Sequence, residues 1–254
     1  MGDSRAVCFA AVGAYGLLGS GEFEDWAEPV DRWLVDHVSA NTGRVLVAPT
    51  ACAPEGGAVW DRWANMGLEH YRAMGLEPEV LPLRSREDAN DPAVVAALDG
   101  ASAIFFSGGN PAYLSDVLRG SPLWEALRSA AGEGAIALGG CSAGTIVLGE
   151  KAPDSTFLDF NPAMFHPGLA LFPAVEFAAH WDAIDRFMPG AQRFIRESLS
   201  PGNVHVFVDE RTAMVGDGDC WEVLGAGTIT VGRGPVESVY RAGDAFAFSE
   251  VPAA

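Results

Sequence analysis

The chain has 254 residues, of which 49% are hydrophobic and 20% charged, enough apolar material for a sizeable core and no sign of a disordered chain. Thirty-four acidic residues face 16 Lys and Arg, a formal net charge of −18. That balance excludes nucleic-acid and anionic-membrane partners, which need clustered cations, although a local cationic pocket stays compatible with it.

Arg5 precedes an apolar run from Ala6 to Leu18. The run is too short to span a bilayer and is broken by Gly13 and Gly16, so it reads as buried strands rather than a targeting segment. Predicted strands are Val7–Ala11, Tyr15–Leu18, Val45–Pro49, Glu79–Leu83, Ala103–Phe106 and Ala135–Gly139. Their near-continuous apolar character is that of strands buried on both faces. Helical periodicity lies between them. Trp26, Val30, Trp33, Leu34 and Val38 recur at spacings of three and four, as do residues from Trp60 to Met74. Pro92–Leu98, Pro111–Leu118 and Pro122–Ala131 each open on a proline, which suits a first helical turn.

The last third changes character. Val204–Val208, Ala213–Val215, Trp221–Leu224, Thr228–Val231, Val236–Tyr240 and Ala245–Phe248 are short strand-like runs separated by Gly-rich turns. They predict antiparallel hairpins appended to the main sheet. The expected architecture is a single α/β domain over residues 1–254. It has a mostly parallel sheet, helices on both faces, and a β-rich C-terminal edge from about 204.

The strongest local motif is Gly140-Cys141-Ser142-Ala143-Gly144, which matches G-x-S-x-G. A buried strand runs into it and a helix-compatible stretch, Ala143 to Leu148, runs out. Such a turn lifts the serine hydroxyl clear of the sheet and requires small residues two before and two after it. The N–H of Ala143 then faces the same space as the hydroxyl and is a candidate oxyanion donor. Cys141 is the competing nucleophile, but centring the motif there loses the trailing glycine, so it reads as a buried neighbour.

A serine needs a base and an orienting acid. His37 and His70 fall on early amphipathic helices and read as surface residues; His205 lies inside a strand and reads as structural. His166 in a loop and His180 at the exit of the strand-like Ala170–Ala178 run stay open as bases, with His180 favoured by its place at a strand end. Asp209 and Glu210 follow an apolar strand and are the candidate acids; Asp182 and Asp185 are too close to His180 in sequence to be preferred. The loop Ser107-Gly108-Gly109-Asn110 lets backbone N–H groups approach a ligand and is a source for a second oxyanion donor. Gly19-Ser20-Gly21 lacks the third glycine of a dinucleotide loop, and there is no G-K-[ST]. The four cysteines show no C-x-x-C spacing, so free thiols in a reducing cytoplasm are expected.

Several stretches in order resemble the peptidase E and cyanophycinase family of serine peptidases, whose fold is similar to that of class I glutamine amidotransferases. They are Leu17–Phe23, Val47–Ala51, Phe106–Asn110, Gly140–Gly144, Ala179-His180-Trp181 and Val208–Ala213. The resemblance implies a Ser-His-Glu set of Ser142, His180 and Glu210, with Asp209 as fallback acid and Gly109 supplying an oxyanion N–H beside that of Ala143. It also implies substrate contacts at Asn110 and Arg186. There are departures. Cyanophycinases carry Asp-Gln before the catalytic histidine and arginines after it, whereas Ala178-Ala179 precede His180 and only Arg186 keeps a matching arginine position. Peptidase E prefers an N-terminal aspartate, whose cationic partner has no clear counterpart here. A peptidase or amidase is expected, acting on a small peptide or isopeptide. No metal or organic cofactor and no nucleic-acid or membrane partner are expected, and a homodimer is the candidate assembly.

Overall fold

A computed structural model describes residues 13–157 and 159–252. The predicted strand Val7–Ala11 lies outside them. The first half alternates strands β1 (Tyr15–Leu18), β2 (Arg44–Ala48), β3 (Glu77–Val80), β4 (Ala103–Phe106) and β5 (Ala137–Cys141) with helices. These are α1 (Glu28–Asp36), α2 (Gly57–Ala73), α3 (Arg86–Asn90), α4 (Pro92–Ala96), α5 (Pro111–Leu118) and α6 (Pro122–Gly132). Asp91, Asn110 and Ser121 cap α4, α5 and α6 by accepting backbone N–H bonds, and a proline follows each cap.

Next come α7 (Ala143–Ile146), β6 (Lys151–Pro153), β7 (Phe165–Pro167), β8 (Val175–Ala178), α8 (Ile184–Phe187) and α9 (Ala191–Glu197). The chain then runs through β9 (Val204–Val208), β10 (Thr212–Gly216), β11 (Cys220–Gly225), β12 (Thr228–Arg233), β13 (Val236–Arg241) and β14 (Ala245–Ala247).

The central sheet has eight strands in the order β14-β11-β10-β1-β5-β4-β2-β3. The β1-β5-β4-β2-β3 portion is parallel, and β10, β11 and β14 extend it antiparallel. Side chains alternate between two cores with the period of the pleat. Leu17, Leu46, Ile104, Phe106 and Leu138 meet Val94, Val117 and Leu127 of α4–α6. Leu18, Val45, Val47, Phe105 and Cys141 meet Val30 and Leu34 of α1 and Tyr71 of α2. The mostly parallel α/β sheet with helices on both faces is therefore as expected.

Three expectations are revised. First, only some C-terminal hairpin strands join the main sheet. β12 and β13 pair instead with β9 and β8 in a separate four-stranded sheet, β13-β12-β9-β8. The crossing is made at Gly225–Gly227, where Gly225 adopts φ +102°. Second, β5 sits two residues later than predicted. Gly134 turns at φ +68° and the Ala135 N–H bonds back to Ala130, so Ala135 and Ile136 belong to the exit of α6. Third, β3 ends at Val80, because Pro82 has no N–H to continue a ladder.

Candidate active site

The parallel strands β1, β4 and β5 end together, and loops at their C-terminal edge gather the site, as open α/β sheets do. At the end of β5 the chain reverses through Ser142, whose φ of 51° and ψ of −108° lie outside the regions L-residues prefer. The strain is over-determined by neighbours. The Ser142 N–H donates to Leu18 O at 3.1 Å, and the Ser142 carbonyl accepts from Thr145 and Ile146. Thr145 Oγ1 lies 2.8 Å from both Leu18 O and Gly140 O. The need for small flanking residues is visible. A Cβ on Gly140 would lie 2.6 Å from the Gly144 carbonyl carbon, and one on Gly144 would lie 2.9 Å from that of Phe106. Helix α7 is shorter than the expected Ala143–Leu148, so its first N–H groups matter more here than any long dipole.

His180 follows β8 with φ 55° and places Nε2 2.9 Å from Ser142 Oγ. Its Nδ1 lies 3.2 Å from Glu210 Oε1. Both partners are about one-third exposed, so solvent reaches the pair. Three groups distant in sequence are thus in hydrogen-bond series. Glu210 sits in the turn between β9 and β10. Its N–H donates to Asp182 Oδ1 at 2.8 Å, and Trp181 N–H donates to Val208 O at 3.1 Å. These two bonds tie the histidine loop to the glutamate turn. Asp209, the fallback acid, is engaged elsewhere: its Oδ2 accepts from the Thr228 N–H and hydroxyl at 2.9 and 2.7 Å. His166 pairs across α5 with Asp116 at 3.8 Å.

The second glycine loop faces the serine. A Cβ on Gly108 would be 3.5 Å from Ser142 Cβ. The Gly108 N–H is held by Glu22 Oε1 at 2.9 Å, so it is taken. Gly109 has φ +141°, and a Cβ there would stand 2.6 Å from Cys52 N. Among the described residues no protein group accepts the N–H of Gly109 or Ala143.

Asn110, expected to contact substrate, is engaged by the fold. Its Oδ1 accepts from Ala112 and Tyr113, and its Nδ2 donates to Asp154 at 2.8 Å. The Asp154 carboxyl is held below its ordinary range by the Thr156 N–H and hydroxyl and by this amide. Arg186 is exposed on α8, with no side-chain partner among the described residues, and does not line the cavity beside Ser142.

Cys141 is fully buried, and its thiol donates to Glu22 Oε2 at 2.7 Å. Burial, reinforced by the Glu22 carboxylate, pushes the thiol well above its ordinary pKa. His70, expected at the surface, is nearly covered, with Nε2 2.8 Å from the buried Asp31. Sequence reasoning missed Glu22 and weighed Asp182 only as an acid for His180, whereas Asp182 accepts the Glu210 N–H. Among the described residues no group of three or more His, Cys, Asp or Glu is arranged to hold a metal ion. No helix among them is long and apolar enough to cross a membrane.

The fold and its strand-to-helix serine turn define an α/β serine hydrolase. The family model of peptidase family S51 matches residues 16–224, and the chain belongs to that family. A cyanophycinase from Nostoc sp. is 26% identical over 226 residues, covering 85% of this chain and 72% of the relative. A cyanophycinase from Synechococcus elongatus is 32% identical over 182 residues, covering 67% and 54%. Among solved structures, a peptidase from an acI-B1 actinobacterium superposes with a TM-score of 0.83 at 29% identity, covering 93% of this chain and 97% of that one. A putative peptidase E from Listeria monocytogenes shares the fold, with a TM-score of 0.57 at 16% identity over 91% and 99% of the two chains.

Proposed function

We propose that this serine peptidase hydrolyses a small peptide or amide through an acyl-enzyme on Ser142. The observation that carries the reading is the position of the His180 ring, 2.9 Å from the Ser142 hydroxyl on one side and 3.2 Å from Glu210 on the other. Glu210 accepts from Nδ1–H, which leaves Nε2 free to take the serine proton as Oγ attacks the carbonyl. The N–H groups of Gly109 and Ala143 hold the oxygen that becomes negative. His180 then delivers the proton to the leaving amine, and water attacks the acyl-enzyme by the same base. Ala178-Ala179 before His180 argue against cyanophycin itself as substrate.

The test is a dipeptide and isopeptide library assay beside labelling with a small fluorophosphonate. Wild type is expected to release product and to carry the label on Ser142, and Ser142→Ala to do neither. Equal product release by the two proteins would remove the mechanism.

A further inference from the structure

Beside Ser142 lies a cavity of about 180 Å³ whose walls are almost entirely apolar. Ser142 and Gly109 form one side of it. An aromatic stack also lines it. Phe194 lies between Phe160 and Phe165, with ring centroids 5.0 and 5.8 Å away. Met164, Met188 and Ile195 are among the other lining residues, with Ser155 the one polar side chain besides Ser142 among those described. Among the described residues no Asp, Glu, Lys, Arg or His lines it. Lys151, which lines a smaller neighbouring cavity, is already paired, with Nζ 3.1 Å from Glu176 and a second bond to Ser198 O.

Two further observations bear on the occupant. Apolar surface is exposed around the site: Phe160 is 39% exposed, and Phe187, whose ring meets that of His180 edge-on at 6.5 Å, is 68% exposed. Large exposed aromatics beside a nucleophile mark surface that a ligand covers. The second is placement. The cavity is bounded by the nucleophile and by the Gly109 loop, and His180 does not line it. The leaving amine must stand at His180 to receive its proton, so the cavity lies on the acyl side of the attacked carbonyl.

We infer that this cavity receives an apolar side chain, best an aromatic one, on the acyl residue of the substrate. The inference rests on the reading of Ser142 as nucleophile and adds the substrate class to it. Size agrees. Apolar cavities of roughly 150 Å³ accept benzene, whereas clefts for drug-sized ligands run to about 300 Å³ and more. Charge agrees as well. An acidic or basic side chain would be stripped of water here with no partner to receive it, which is strongly unfavourable.

The test uses peptidyl-type phosphonate esters that differ only in the side chain next to phosphorus: benzyl, carboxymethyl or guanidinopropyl. The rate of covalent labelling of Ser142 is followed by intact-mass spectrometry. The benzyl compound is expected to react about tenfold faster or more than either charged one, the scale set by burial of one aromatic side chain. Phe194→Ala is expected to erase most of that preference, and Met164→Ala to reduce it. Labelling of Ser142 with the charged compounds equal or faster would overturn the assignment of the cavity while leaving the serine mechanism standing. If neither these compounds nor a small fluorophosphonate label Ser142 in folded protein, the nucleophile reading fails and the cavity assignment falls with it.

Discussion

Glu22 and Cys141, 119 residues apart in sequence, meet beside the strand-to-helix turn at Ser142, where the Cys141 thiol donates to Glu22 Oε2 at 2.7 Å. The other oxygen of the same carboxyl accepts the Gly108 N–H at 2.9 Å. One buried side chain, 6% exposed, therefore couples the strand carrying Ser142 to the loop carrying Gly109. The placement of Ser142 relative to the Gly109 N–H, the proposed oxyanion donor, depends on it.

Replacing Glu22 by Ala leaves the Gly108 N–H buried without an acceptor. A stability loss of about 1–3 kcal/mol is expected from the unmade bond. Turnover should drop by about tenfold or more as the loop loosens, short of the 10²–10³ typical for removing an oxyanion donor outright. Glu22→Gln keeps a carbonyl oxygen and should recover part of both. Thermal unfolding and kcat measured on the two variants check this; undiminished turnover in Glu22→Ala would refute the coupling.

Gly109→Ala forces a Cβ against the Ala51 carbonyl and Cys52 N, at a φ that side chains rarely adopt. The loop must shift, and with it the N–H proposed to hold the oxyanion. A fall in kcat on the order of 10²–10³ is expected, with KM changed less. Steady-state kinetics with any substrate found in the library assay will measure it.

The proposed acid is Glu210, which faces His180, rather than Asp209, which is committed to Thr228. Glu210→Gln should lower kcat by roughly 10²–10⁴ through loss of the orienting carboxylate. Asp209→Asn should act on stability more than on rate. Asp182→Asn weakens the bond to the Glu210 N–H and should fall between the two. A larger rate loss in Asp209→Asn than in Glu210→Gln would reverse the assignment.

A buried thiol whose pKa is pushed well above the ordinary value is not a thiolate near neutral pH. Native enzyme incubated with iodoacetamide should keep its activity, and Cys141→Ser should remain active. Peptide mapping that places inactivating alkylation on Cys141 would count against Ser142 as the working nucleophile.

His205 is buried in β9 beside Phe207, with Nε2 3.0 Å from Glu237 Oε1. Desolvation depresses its pKa below the ordinary 6.5 despite the carboxylate. As pH falls, the unfolded chain binds this proton before the folded one does. The stabilising contribution is therefore complete above about pH 6.5 and is lost as pH drops towards the folded pKa. Urea unfolding from pH 7.5 to 5 should show this decline, and His205→Gln should flatten it. An unchanged pH slope in the variant would exclude His205 as the source.

Much of this protein was legible in the chain. Binary pattern located β1, β2, β4 and β5 within two residues, because strands buried on both faces must be apolar throughout, whereas β3, an edge strand with exposed Glu77 and Glu79, ends three residues before its predicted end. Gly140-Cys141-Ser142-Ala143-Gly144 revealed the turn, because only small residues fit where Gly140 and Gly144 approach other backbone atoms. Local sequence could not decide which acid faces His180, since Asp209 and Glu210 are adjacent and only the twist of the turn sends one inward and the other to Thr228. It could not give Glu22 its role, or show that Asn110 is consumed by its cap and Asp154. The partition of the last six strands between two sheets was equally hidden, because each reads alike until long-range pairing selects its neighbour. The aromatic cavity is of the same kind. Phe160 and Phe165 come from the stretch leading into β7 and Phe194 from α9, and no periodicity links them. Residue type and spacing are properties of the chain, whereas who meets whom across a hundred residues is set only when the sheet and its loops close.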